Sequence, residues 1–123
     1  MSKRRIAVPS MVPGGLDAHR SGHFGRCDVF TLIDIENGKV VNVDVINNVE
    51  HTEGGCLVPV NLLAGHKVDA IVVSGMGMRP LMGFRAAGID VLIGQGVTVR
   101  EAVNGYTAGT LQPMTEDYVC GGH

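Results

Sequence analysis

The chain has 123 residues, a formal net charge of −2, 45% hydrophobic and 18% charged residues. That balance fits one globular domain with a real core and excludes a disordered chain. With no Trp, 4% aromatic residues and no basic excess, there is neither a charged surface nor a stacking platform for nucleic acid.

No apolar run approaches the ~18 residues of a membrane span, so no membrane partner is expected. The basic triplet Lys3-Arg4-Arg5 is not followed by an apolar segment. It reads as a solvated end before the first strand rather than a signal peptide, and a cytoplasmic location is expected. Three cysteines are an odd number, which argues against a disulfide framework. In a reducing compartment such residues serve as small buried hydrophobes, metal ligands or reactive thiols.

Residues 6–8, with Pro9 behind them, form a short first strand. Residues 9–27 hold Pro9, Pro13, Gly14, Gly15, Gly22 and Gly25 and form a long loop, a feature that usually carries function. Residues 29–35 make a second strand. Asn37-Gly38 is a hairpin turn signal, and residues 40–47 alternate valine with polar residues as a half-exposed strand does. A polar loop, residues 48–55, ends in Gly54-Gly55-Cys56. Residues 57–66 read as a helix with Pro59 in its first turn.

The β-branched run 70–73 is a buried parallel strand. A helix over 78–87 follows, stopped by Gly88, and then a buried strand over 89–93. Thr98 caps a last helix over 99–108, with Glu101 completing a capping box. The order β-β-β-α-β-α-β-α predicts an α/β fold with a mixed five-stranded sheet and helices on its faces. Residues 1–111 would form this domain. Residues 112–123 show no period and are expected to be a flexible tail ending Cys120-Gly121-Gly122-His123.

Following strand direction places the candidate ligands. If the first strand runs upward, the loops with His19, His23, Cys27, His51, Cys56, Met76 and Met78 all lie at the top. Open α/β sheets bind ligands at that edge. His66 falls at the opposite edge and is expected to be structural. The tail starts at the bottom, but about twelve extended residues span up to ~40 Å, enough for Cys120 and His123 to reach the top.

The ordered series Ile6-Ala7-Val8, His23-Phe24-Gly25-Arg26, Gly54-Gly55, Gly75-Met76-Gly77, Gly88-Ile89 and Val99-Arg100-Glu101-Ala102-Val103 resembles the dinitrogenase iron-molybdenum cofactor biosynthesis family. That family includes NifX, the C-terminal region of NifB and small stand-alone proteins. The resemblance covers residues 5–110. It implies a ribonuclease-H-like three-layer domain that binds or carries iron–sulfur or molybdenum-containing clusters without catalysis. It also implies donor and acceptor proteins of cofactor assembly as partners. The tail lies beyond the shared region, so its Cys and His carry no implied role.

Thiolate and imidazole suit iron–sulfur centres, zinc and copper(I). His23 and Cys27, four apart beside glycines, can converge on a metal; equally, His23 can bond loop backbone while Cys27 packs. His51 with Cys56 matches no zinc spacing well. Cys56 can instead open the helix, where its thiol would be acidified, or pack in the core. Cys120 and His123 have the spacing to grip one ion, or form a frayed end. Closing over His23 and Cys27, they would act as a mobile clamp.

Met76 and Met78 read as core filler before thioether ligands. Gly75, Gly77 and Arg79 open a helix whose amides could hold an anion. Arg26 and Arg79 on the same edge would suit an anionic cluster, or are ordinary surface charge. A regulatory module binding an anionic small molecule or nucleotide at the 75–79 loop is the second reading, and an interaction domain without a ligand the third. A cluster shared across a symmetric homodimer is a further alternative, since one chain offers few thiolates. Hydrolysis needs clustered carboxylates for two metals, but Asp17, Asp28 and Asp34 are scattered, so an enzyme is not expected.

Overall fold

A computed structural model describes residues 3–22, 27–48, 57–94 and 96–114. Its elements run β1 (Lys3–Ser10), β2 (Val29–Glu36), β3 (Lys39–Asn47), α1 (Leu57–Gly65), β4 (Ala70–Val73), α2 (Met78–Ala86), β5 (Asp90–Ile93), α3 (Val99–Ala108) and β6 (Gln112–Pro113). The sheet order is β3-β2-β1-β4-β5-β6. β1 pairs with β4, and β4 with β5, in parallel; the other pairs are antiparallel. The α/β class, the opening hairpin and the mixed sheet follow the sequence reading.

Two expectations are corrected. The sheet has six strands among the described residues, not five. β6 is two residues long and lies in what reads as tail. Ile93 pairs with Gln112, and Leu92 with Pro113. The Met114 amide then donates to the Val91 carbonyl at 2.8 Å, and Met114 itself is buried. Two residues cannot display a period, so the pairing leaves no trace in the sequence pattern. The Lys3-Arg4-Arg5 triplet does not precede the first strand either, although Lys3 and Arg4 are exposed to solvent. It lies inside β1, opposite Glu36, Ile35 and Asp34 of β2, and the ladder continues through it because Arg5 has a carboxylate directly across the strand.

Local chemistry explains the elements that the sequence places well. Asn37 and Gly38 take φ of 55° and 79°, the left-handed pair that a two-residue hairpin requires. The Thr98 hydroxyl accepts from the Glu101 amide at 3.3 Å, and the Glu101 carboxylate accepts from the Thr98 amide at 3.0 Å. This reciprocal box satisfies donors that the first turn of α3 would leave orphaned.

The sheet separates two cores. On one face Ala7, Phe30, Leu32, Ile71 and Val73 meet Val60 and Leu63 of α1 and Leu81 and Phe84 of α2. On the other, Ile6, Val8, Ile33, Ile35, Ala70 and Val72 meet Val99, Ala102 and Val103 of α3, with Leu16 and Ala18 of the first long loop beside them. The strands at the centre are therefore apolar on both sides, as parallel strands under two helical layers must be.

Candidate functional site

The register fixes what meets at each end of the sheet. Ser10 of β1 lies opposite Val29 of β2, and Val73 of β4 lies beside Ile93 of β5. The β1–β2, β4–α2 and β5–α3 connections therefore leave the sheet at one edge, the carboxyl end of its parallel strands. This is the edge expected to carry the ligands.

Of the predicted metal ligands, Cys27 is described. His23, His51, Cys56, Cys120 and His123, together with Arg26, lie outside the described residues. Cys27 sits just before β2 and is buried, in the same core cluster as Met76. The Asn48 side-chain amide donates to the Cys27 carbonyl at 3.0 Å and approaches its Sγ at 3.6 Å. Burial pushes the Cys27 thiol up to about 12, against backbone hydrogen bonds that favour the thiolate. The residue is a protonated thiol at neutral pH, and a metal would have to displace that proton. Among the described residues no three His, Cys, Asp or Glu side chains are placed to hold a metal ion.

The anion-binding residues are all described. Gly75 is buried, Gly77 half-buried and Arg79 exposed. Gly77 is the N-cap of α2 and supplies no side-chain cap. Its φ is −72°, and a Cβ there would meet only Pro80 Cδ at 3.8 Å. Neither strain nor crowding demands glycine at this point, so the residue leaves the helix amides uncovered. Met76 is core filler as read, whereas Met78 is half exposed.

Arg20 is the residue that sequence reasoning missed. Residues 18–21 cross the edge as an extra extended strip. The Arg20 amide donates to the Val97 carbonyl at 2.8 Å, and the Ser21 amide to the Pro9 carbonyl at 2.8 Å. Isolated bridges join Ser10 with Arg20 and His19 with Thr98. The strip thus ties the end of β1 to the β5–α3 loop and lays the Arg20 side chain over the ends of β4 and β5. Arg20 Nη1 donates to the Gly96 carbonyl at 2.9 Å, and Nη2 reaches Ser74 Oγ at 3.2 Å.

The guanidinium lies directly against Gly94, where a Cβ would stand 2.5 Å from both Arg20 Nη2 and Val72 Cγ1. Only glycine permits that approach. Burial lowers the Arg20 pKa, and the Glu101 charge opposes the effect. An arginine in a glycine- and proline-rich loop looks like surface charge, and no local sequence signal ties it to Gly94 and Gly96 on a distant loop.

The far edge holds the other buried ionic group. Arg5 Nε and Nη2 donate to the two Asp34 oxygens at 2.8 and 3.2 Å, and Nη1 to the His66 carbonyl at 2.8 Å. His66 thus contributes its backbone to the far edge, in keeping with a structural role, and Asp34 is engaged there by Arg5.

Comparison with known proteins now has a geometry to rest on. The profile described as "Dinitrogenase iron-molybdenum cofactor" matches residues 4–109. An uncharacterized protein of Methanocaldococcus jannaschii is 32% identical over 111 residues, covering 88% of this chain and 89% of that protein. The NMR structure of a proposed NifB protein from Thermotoga is 31% identical, with a TM-score of 0.74 over 89% of this chain and 92% of that one. The apo form of the orange protein from Desulfovibrio gigas is 26% identical, with a TM-score of 0.77 over 91% of this chain and 97% of that one. With a profile match across nearly the whole described fold, this chain belongs to the dinitrogenase iron-molybdenum cofactor family.

Proposed function

We propose that this chain is a small non-catalytic carrier or scaffold for an iron–sulfur or molybdenum-containing cluster, held at the carboxyl edge of the parallel strands. The supporting observation is the chemistry of that edge in a chain of this family. Helix α2 opens there without a side-chain cap, Arg79 lies in its first turn, and Arg20 lies across the strand ends. A cluster bearing sulfides is anionic, and amides and guanidinium groups are the donors that suit it. Zinc and copper(I) are the metals to compare in reconstitution. Cys27 is the thiolate ligand of this reading, with His23, His51, Cys56, Cys120 and His123 as the further candidates. Arg26 would add charge at the rim. The partners would be the proteins that donate and accept the cluster, and two copies of the chain could share one cluster.

The test is anaerobic purification followed by metal and sulfide assay. Cluster uptake should give absorption between about 300 and 450 nm, and Cys27→Ser should abolish it. Since the Cys27 thiol is protonated at neutral pH, uptake should release protons and tighten as pH rises. Truncation after Tyr118 should speed release of the cluster while leaving uptake intact. A protein that stays colourless after reconstitution, or a Cys27→Ser variant that binds as wild type does, overturns the reading.

The uncapped Gly77 also favours a second reading, a regulatory module that takes an anionic small molecule or nucleotide at the 75–79 loop. Thermal stabilisation by nucleotides in a protein that takes up no cluster would select it.

A further inference from the structure

Arg20 is an incompletely satisfied cation in an otherwise well-satisfied fold. Among the described residues its Nε is the one buried side-chain nitrogen or oxygen without a hydrogen-bond partner. Its two bonded donors go to neutral acceptors, the Gly96 carbonyl and the Ser74 hydroxyl. Glu101, whose charge acts on Arg20, makes no hydrogen bond to it; its Oε1 instead accepts from the Val97 amide at 2.6 Å, the Thr98 amide at 3.0 Å and the Thr98 hydroxyl at 3.3 Å. Among the described residues Arg20 makes no ion pair. A guanidinium taken partly out of water with neutral partners only is an expensive arrangement. The fold nevertheless builds it, keeping both Gly94 and the 18–21 strip to make the place.

We propose that Arg20 is the anion-receiving group of this edge, a cation that exchanges its neutral resting partners for an acceptor atom, oxygen or sulfide, of an anionic ligand above the ends of β4 and β5. The exchange gives up the Gly96 carbonyl bond, turns the unused Nε–H toward the ligand and keeps the bond from Nη2 to the Ser74 hydroxyl. It replaces a bond from the cation to a neutral carbonyl by one between opposite charges, which adds direct Coulomb attraction in a partly desolvated place. Arg is suited to this task and Lys is not, because the planar fork presents two parallel donors to one ligand. The inference deepens the carrier reading and rests on it for the ligand's identity, but not for the site. It also assigns the ligand contact to Arg20, ahead of the exposed Arg79.

The Arg20 Nε–H gives its own resonance in a nitrogen-15 spectrum of the full chain, so the site can be watched without altering it. Sodium sulfate and sodium molybdate are the probes, titrated at constant ionic strength against chloride. The expected result is a saturable shift of the Arg20 Nε–H signal with the divalent anions. Arg20→Gln should weaken probe binding by roughly tenfold to a hundredfold, the scale of lost hydrogen bonds to a charged group. Arg20→Lys should fall between the two, and the spectra of the variants should retain the wild-type amide pattern.

A signal that follows ionic strength alone, or equal probe affinity in wild type and Arg20→Gln, overturns the proposal. Cluster uptake that Arg20→Gln leaves untouched removes this inference and spares the carrier reading. Saturable probe binding at Arg20 in a protein that never takes up cluster does the reverse.

Discussion

The two ends of the sheet each hold an arginine, and they are built to opposite rules. At the amino end of the parallel strands, Arg5 faces Asp34 across β1 and β2, and three of its donors meet two carboxylate oxygens and a carbonyl. The hydrogen bond to Asp34 raises the Arg5 pKa, and the same bond lowers that of Asp34. The Arg5 amide adds a bond to Asp69 Oδ2 at 2.8 Å, which joins β1 to the start of β4. At the carboxyl end, Arg20 has neutral partners and a spare donor. The first arginine closes a network that holds the fold; the second is left with capacity that the fold does not use. An end whose polar groups satisfy one another is finished, whereas an end with an unspent donor is where a ligand has something to gain.

The sharpest way to break this comparison is the same substitution at both ends. Arg5→Met strands the buried Asp34 carboxylate and should cost about 2 kcal/mol of stability, less than the 3–5 kcal/mol of a fully buried pair, because a third of the Arg5 side chain meets solvent. Arg20→Met removes a desolvated charge along with its two bonds to neutral acceptors, and should cost well under half as much. Urea denaturation of both variants measures the difference. The pH dependence has a definite sign. The folded-state pKa of Asp34 lies below its unfolded value, so its contribution is present above the unfolded value of about 3.9 and fades as pH falls through the folded value. The gap between wild type and Arg5→Met should therefore narrow below about pH 4. Equal losses at the two ends would mean that Arg20 is as structural as Arg5.

How far these ends could be read from the sequence follows from distance along the chain. The Asn37-Gly38 turn and the Thr98–Glu101 box are complete within four residues, so their chemistry is visible locally. Strand direction then places the β1–β2, β4–α2 and β5–α3 loops together at the carboxyl edge with no further information. Arg20 was invisible because its partners Ser74, Gly94 and Gly96 are more than fifty residues away and carry no signature of their own. β6 was invisible because its two pairs, Leu92 with Pro113 and Ile93 with Gln112, are too few to show a period. Cys27 reads the same way in sequence whether it packs or binds; what the structure adds is that burial raises its pKa, and with it the cost of the proton that any metal must displace.

A smaller effect separates capping from ligand binding at the carboxyl edge. Thr98→Ala removes the hydroxyl half of the α3 box and should cost about 1 kcal/mol. Glu101 would still accept from the Val97 and Thr98 amides, so the β5–α3 loop should keep its course beneath Arg20. The expected pattern is a lower urea midpoint with an unchanged Arg20 Nε–H signal. A variant in which that signal moves as well would show that the cap, rather than Gly94, seats the guanidinium.

The smallest effect belongs to the most conspicuous ion pair. Asp17 Oδ1 accepts from Arg100 Nε at 3.3 Å and Nη2 at 3.0 Å, joining the first long loop to α3. The two side chains are 89% and 54% exposed, so water and salt screen the attraction while the pair still loses side-chain freedom. The loop is held here by its backbone in any case. The Val99 amide donates to the Ala18 carbonyl at 3.0 Å, and the Arg100 amide to the Leu16 carbonyl at 2.8 Å. Neither bond needs the Arg100 side chain. Arg100→Ala should therefore change stability by no more than a few tenths of a kcal/mol, with no dependence on added salt beyond that of wild type. A loss above about 1 kcal/mol would exceed what exposed pairs contribute. It would mean that surface charge, and not the backbone strip through Arg20, organises the carboxyl edge.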